Sequence, residues 1–160
     1  ALDYTCVYYG ADLSDEQKEE LMSLYRVLPA FDDVEEGLTR LKNSGFRLYA
    51  FSNGAVDALE VLLTNAGIRD LFLGVVSVDD IKSFKPSPAV YCHFLRQSKS
   101  TGGNAWLVSS NPFDVIGAIS AGMKGAWVRR SPKAVFDPWG IEPTVTVSSL
   151  VELDINIGKN

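Results

Sequence analysis

The stretch from Asn104 to Arg129 leaves this chain few folds to choose from. It reads N-A-W-L-V-S-S-N-P-F-D-V-I-G-A-I-S-A-G-M-K-G-A-W-V-R. A short apolar run, Ala105 to Val108, ends in the polar turn Ser109-Ser110-Asn111. Pro112 then stands where a helix tolerates it, in the first turn, because its missing N–H has no intrahelical acceptor there. Asn111 or Ser110 can cap that helix. Val115, Ile116, Ile119 and Met123 give it a buried stripe, while Ala118, Ala121 and Gly122 let it lie close to a sheet. Gly125 to Val128 reads as the next buried strand. The unit is strand–helix–strand, with its polar residues at the carboxyl end of the first strand, where open α/β sheets bind ligands.

The rest of the chain repeats the alternation. Ser14-Asp-Glu-Gln17 has the form of a capping box, and Leu21, Leu24, Tyr25 and Leu28 follow at helical spacing until Pro29 closes the helix. Val34, Leu38 and Leu41 carry a helix that Asn43-Ser44-Gly45 ends. Phe46 to Phe51 is a strand run stopped by Ser52-Asn53-Gly54, and Leu59, Leu62 and Leu63 mark a helix ending at Gly67. Phe72 to Val78 is a further strand, Asp79 to Lys85 a connection, and Pro88 to Gln97 a helix with Tyr91, Phe94 and Leu95 available for packing. Thr144 to Val147 adds a short edge strand. Helices alternating with apolar strands predict an α/β fold, a mostly parallel sheet covered on both faces. Residues 1–30 do not share the pattern. They read either as part of a helical accessory region or as an N-terminal helical extension packed on a core spanning 31–160.

Composition removes several function classes. A formal net charge of -5, with no basic cluster longer than Arg129-Arg130, argues against nucleic acid as a partner. Cys6 and Cys92 lie far apart without metal-ligand spacing and suit small core positions, with no disulfide and no metal. Nothing resembles a membrane span or a signal segment, so a soluble, cytoplasmic protein is expected. His93, the sole histidine, reads as a satisfied or surface residue, and no nucleophile-elbow sequence supports a triad built on it. Trp106, Trp127 and Trp139 read as packing residues.

In a parallel sheet the polar strand ends converge on one edge. Ser52-Asn53 would meet Ser109, Asn111 and Asp114 there, together with Lys85 from the connection Phe84-Lys-Pro-Ser-Pro88. Hydroxyls, amides, one carboxylate and one ammonium make a site suited to a small anion. Asp114 sits in the first turn of its helix, near the positive end of the helix dipole, within reach of Lys85. Taken singly, Ser and Asn are ordinary turn residues and a lysine before proline faces solvent. The order of the three features is what points to a site.

Ser52-Asn53-Gly54, Lys85-Pro-Ser-Pro-Ala-Val-Tyr91 and Ser109-Ser-Asn-Pro-Phe-Asp114 resemble the second, third and fourth segments of the haloacid dehalogenase-like superfamily, and most closely its type II L-2-haloacid dehalogenases. The resemblance runs from about Leu2 to the C-terminus. It implies a Rossmann-type parallel sheet flanked by helices, with residues 1–30 as the remnant of a helical cap and Leu28-Pro-Ala-Phe-Asp-Asp-Val34 leading back into a partial core. It implies hydrolysis of L-2-haloalkanoic acids to D-2-hydroxy acids through an aspartyl ester, without metal or other cofactor. Catalytic roles carry over to Lys85, Ser109, Asn111 and Asp114. Substrate-binding roles carry over to Ser52, Asn53, Tyr91 and Phe113, the last at a position commonly tryptophan in the family. The partners implied are a 2-haloacid and, for a homodimer, a second copy of the chain.

The same resemblance exposes a gap. The family's nucleophilic Asp ends the central first strand in a D-x-x-G-T-like segment, and no Asp here has that context. Arg26 comes too late to match the early-cap arginine that assists halide release. The expectation is a C-terminal part of a dehalogenase, lacking the central first strand, inactive by itself, and marginally folded or oligomeric until the missing segment is supplied in cis or in trans. Two alternatives stand beside it. One is a small-molecule phosphatase of the superfamily, for which the single carboxylate Asp114 is a poor Mg²⁺ site. The other is a non-catalytic remnant that keeps an anion-binding edge.

Overall fold

The computed structural model describes residues 2–157. Two helices open the chain, α1 (Leu2–Tyr9) and α2 (Asp15–Leu24), followed by a 3-10 turn at Tyr25–Val27. The capping box forms as the sequence requires: Gln17 N donates to Ser14 Oγ, and Ser14 N donates to Gln17 Oε1. From α3 (Val34–Asn43) onward the elements alternate: β1 (Tyr49–Ser52), α4 (Val56–Asn65), β2 (Gly74–Ser77), α5 (Pro88–Ser98), β3 (Trp106–Ser109), α6 (Pro112–Ser120), β4 (Lys124–Val128), β5 (Val145–Val147) and α7 (Leu153–Ile157).

Every strand pair is parallel, but the strands make two sheets, β1–β2 and β3–β4–β5. The split falls between the strand ending at Ser52 and the strand ending at Ser109, in keeping with the central strand that the family resemblance implied to be absent. Apolar periodicity reports which residues are buried and not which edges pair. The strand run 46–51 is also shortened at its start, because pairing with β2 begins at Tyr49↔Gly74.

The alternation along β3 sets up two cores. Ala105 and Leu107 join Val90 and Tyr91 of α5, Ala118 of α6 and Met123 on one face. Trp106 and Val108 point the other way, onto Leu41 of α3 and Leu153 and Ile157 of α7. Successive residues of a strand face opposite sides, so one four-residue strand serves both cores. Val115 and Ala118 of α6 are fully buried. Of the small residues read as close-packing positions, Ala118 is fully buried while Gly122 has open space around it, and the closest approach is at Gly125 of β4, where an added Cβ would lie 2.7 Å from Val115 Cγ1.

Between the two sheets runs a groove of about 440 Å³, with Leu48, Ala50 and Ser52 on one wall and Trp106 and Val108 on the other. Among the described residues no strand pairs with the open edge of β1 or of β3. Two packing expectations are corrected at the surface: Cys92 is exposed on α5, and Trp139 is 65% exposed in the loop before β5. No helix among the described residues is long and apolar enough to cross a membrane.

Candidate active site

Both sheets point their carboxyl ends to the same side, and Lys85 joins them there. The connection from β2 to α5 brings its ammonium to the mouth of the groove, where Nζ donates to Phe51 O of β1 and to Asp114 Oδ2 of α6, both at 3.4 Å. It also lies 5.1 Å from the centre of the Phe51 ring. The pair is sheltered: the Lys85 side chain is 10% exposed and that of Asp114 6%.

Asp114 collects further donors on the same oxygen. Ser109 Oγ donates to Oδ2 at 3.0 Å and Asn111 Nδ2 approaches it at 3.5 Å. Oδ1 is buried with no hydrogen-bond partner. Ser109 Oγ in turn accepts from Asn111 N at 3.0 Å, which shapes the turn between β3 and α6. Asn111 occupies the N-cap position of α6, but its side chain makes no capping bond; it is spent on Asp114.

The other wall mirrors this. Ser52 ends β1 and its Oγ accepts from Gly54 N at 3.1 Å. Asn53 Oδ1 accepts from Lys85 N at 3.0 Å, so the amide holds the lysine's backbone rather than its ammonium. Phe113, 36% exposed, flanks Asp114 on α6. Among the described residues no three His, Cys, Asp or Glu side chains cluster as metal ligands would.

Tyr91 differs from its expected place against substrate. It is fully buried, and its hydroxyl donates to the main-chain carbonyl of Asp114 at 3.2 Å, beneath the site. Burial, and then the Asp114 charge, push its phenol well above the usual tyrosine range, so it stays protonated and keeps that donor. His93 is corrected too. It is buried, with Nε2 unpartnered by any hydrogen bond and 3.5 Å from Asp80 Oδ2, away from the site cluster.

Two residues at the site escaped the sequence reading. Ser77, at the end of β2, is fully buried and donates from Oγ to Gly54 O at 2.7 Å while accepting from Asp79 N at 3.0 Å. Trp127 of β4, read as packing alone, donates from Nε1 to Ser110 O at 3.1 Å. Only strand register could have found them, since Ser52 pairs with Ser77 and Ser109 with Trp127.

Comparison with known proteins bears on this geometry. A family model described as haloacid dehalogenase-like hydrolase matches residues 1–122. An (S)-2-haloacid dehalogenase of Pseudomonas putida is 33% identical over 96% of this chain and 67% of its own length. The chain spans about two thirds of the length of the curated relatives it matches. Among solved structures, an L-2-haloacid dehalogenase from Xanthobacter autotrophicus with chloropropionic acid covalently bound superposes with a TM-score of 0.89 at 27% identity, covering 99% of this chain and 73% of that one. A HAD phosphatase from Thermococcus onnurineus superposes at 0.75 with 25% identity, over 98% and 70% of the two chains.

Proposed function

The chain belongs to the haloacid dehalogenase-like hydrolases, and from that premise we propose that the complete protein hydrolyses L-2-haloalkanoic acids to D-2-hydroxy acids. The observation that carries the reading is the Lys85–Asp114 pair, held at the carboxyl ends of β1 and β3 by Phe51 O and Ser109 Oγ. The one carboxylate of the cluster is already engaged by an ammonium, a hydroxyl and an amide. A hard divalent cation prefers several oxygen ligands including carboxylates, so the Mg²⁺-dependent phosphatase reading, kept open by the archaeal relative, fits these residues less well.

The nucleophile belongs to a further strand, the central one, lying in the groove between β1 and β3 and ending in an Asp beside Lys85. One oxygen of that carboxylate attacks C2 of the haloacid. The new C–O bond forms as the halide leaves with the electrons of the carbon–halogen bond, and the configuration inverts. Water then adds to the ester carbonyl carbon, which regenerates the carboxylate and frees the hydroxy acid. The sum is one water consumed and one halide and one proton released.

Each side chain has a part. Ser52 binds the substrate carboxylate, and Asn53, whose Oδ1 is held by Lys85 N, turns its Nδ2 toward the departing halide. Lys85 neutralises the nucleophile and substrate carboxylates. Ser109 and Asn111 arrange the nucleophile and the water, and Asp114 completes the network with Lys85 through Oδ2, its Oδ1 having no hydrogen-bond partner. Phe113 supplies an apolar wall. Tyr91 acts through the backbone of Asp114.

Halide release tests this directly. Chain 1–160 alone is expected to release no chloride from L-2-chloropropionate. The chain extended by a strand ending in Asp is expected to release it without Mg²⁺ and to gain amide-exchange protection over 49–52 and 106–109. Turnover by the unextended chain would refute the nucleophile assignment, and Mg²⁺-dependent release of phosphate from monoesters would refute the substrate class.

A further inference from the structure

We propose that Ser77 and Trp127 are positioning residues that clamp the two site turns from the neighbouring strands. They are the register partners of Ser52 and Ser109, and each donates to a main-chain carbonyl just beyond its site serine, Gly54 O in one case and Ser110 O in the other. The assignment of a substrate carboxylate to Ser52 rests on the dehalogenase reading; the clamps themselves do not.

The bonds have a fixed sense. A serine hydroxyl has a single hydrogen, and that of Ser77 is committed to Gly54 O because its oxygen already accepts from Asp79 N. With Gly54 held, its N–H is aimed at Ser52 Oγ. That contact occupies a lone pair of Ser52 and leaves its own hydrogen to point at an incoming anion. The indole N–H is a donor and never an acceptor. Trp127 is 6% exposed and pinned edge-on by Phe136 at 5.1 Å, so it cannot follow a drifting turn. Holding Ser110 O keeps Asn111 N on Ser109 Oγ, whose hydrogen then goes to Asp114. Strand pairing thus sets the aim of two side chains on which it makes no direct contact.

Amide exchange on the complete protein, referenced to the Ala126 amide, reads the two turns separately. Ser77→Ala should quicken Gly54 exchange about three- to tenfold, the loss of one net hydrogen bond, and leave Asn111 unchanged. Ser77→Thr, which keeps the hydroxyl, should restore it. Trp127→Phe should quicken Asn111 and leave Gly54 unchanged, and a benzothienylalanine at 127, which removes the N–H and keeps the shape, should do the same. In the complete protein Ser77→Ala should raise KM for L-2-chloropropionate more than it lowers kcat. The exchange arms need no turnover, so failure of the haloacid reading leaves them decisive. A uniform rise at Gly54, Asn111 and Ala126 together, no rescue by threonine, or loss of the clamp without a change in KM would overturn the proposal.

Discussion

Replacing Lys85 by methionine keeps most of the stem and deletes the charge. The structure sets the size of the effect. Asp114 is 4% exposed, and without Lys85 its Oδ2 keeps Ser109 at 3.0 Å and the longer Asn111 contact, while Oδ1 has none. Breaking a buried ion pair by removing one partner costs about 3–5 kcal/mol, because the remaining charge stays buried and uncompensated. The Ser109 hydrogen bond survives and the Lys85 contacts are long at 3.4 Å, which favours the lower end, about 3 kcal/mol. Loss of the ammonium over the Phe51 ring adds roughly 0.5–1 kcal/mol. Urea denaturation followed by circular dichroism measures the change as a shift in midpoint at constant slope. Asp114→Asn supplies the control, since an amide there carries no charge to strand. Lys85→Met should cost about 3.5–4 kcal/mol in the parent and less than about 1 kcal/mol in the Asp114→Asn background. Equal costs in the two backgrounds would show that the lysine contributes packing alone, and the electrostatic account of the site would fall with it.

Two further outcomes follow from the frame around the site. Gly117→Ala should lower stability by about 1–2 kcal/mol in thermal unfolding, since its Cβ would lie 2.8 Å from Tyr91 ring carbons and closer still to the hydroxyl, and overpacking of about 1–3 kcal/mol outweighs a helix-propensity gain of about 1 kcal/mol. Asp33 accepts from Arg130 Nη1 at 2.8 Å and from Leu150 N at 2.7 Å; burial pushes its carboxyl up, but these bonds and the guanidinium charge win, and it titrates below its ordinary 3.8. A carboxyl depressed in the folded state stabilises above its unfolded value and loses that contribution as pH falls through the folded one. Unfolding measured between pH 5 and 2 should therefore show a pH-dependent loss setting in below about pH 4 that Asp33→Asn reduces.

What was legible in the sequence was what local chemistry decides. The unit 104–129 declared itself because its apolar spacing switches from strand to helix and back around Pro112, and the Ser14–Gln17 box because both its bonds are local. The pairing of Lys85 with Asp114 could be read because parallel strands bring their ends to one edge. What depended on register or on neighbours could not be read. The split between β1 and β3 leaves no mark in periodicity, since a strand with an open edge and a fully paired one share the same apolar pattern, and only the family resemblance implied an absent strand there. His93 shows the same limit: nothing local distinguishes a histidine buried beside Asp80 from one facing water. Ser77 and Trp127 matter through the residues they stand beside, which only the pairing reveals.

The edge where these groups meet must manage a surplus of negative charge. In the proposed reaction a nucleophilic carboxylate, a substrate carboxylate and Asp114 would face the ammonium of Lys85, and a departing halide would add to the load. The rest of the compensation has to come from dipoles. α4 starts four residues after Ser52, and α6 three residues after Ser109. Neither has a side-chain cap: Ala55 has no side-chain oxygen to give, and Asn111 spends its amide on Asp114. Helix starts left uncapped present open N–H groups and the positive end of the helix dipole to whatever lies before them. Ordinary helices spend Ser or Asn on their own first turns, for about 1 kcal/mol of stability. Here the serines and asparagines of both turns are instead diverted to Gly54 N, Lys85 N and Asp114. The forgone caps leave two helix starts beside the site, whose fields would complement the anions of the proposed reaction, where Lys85 alone would be too little.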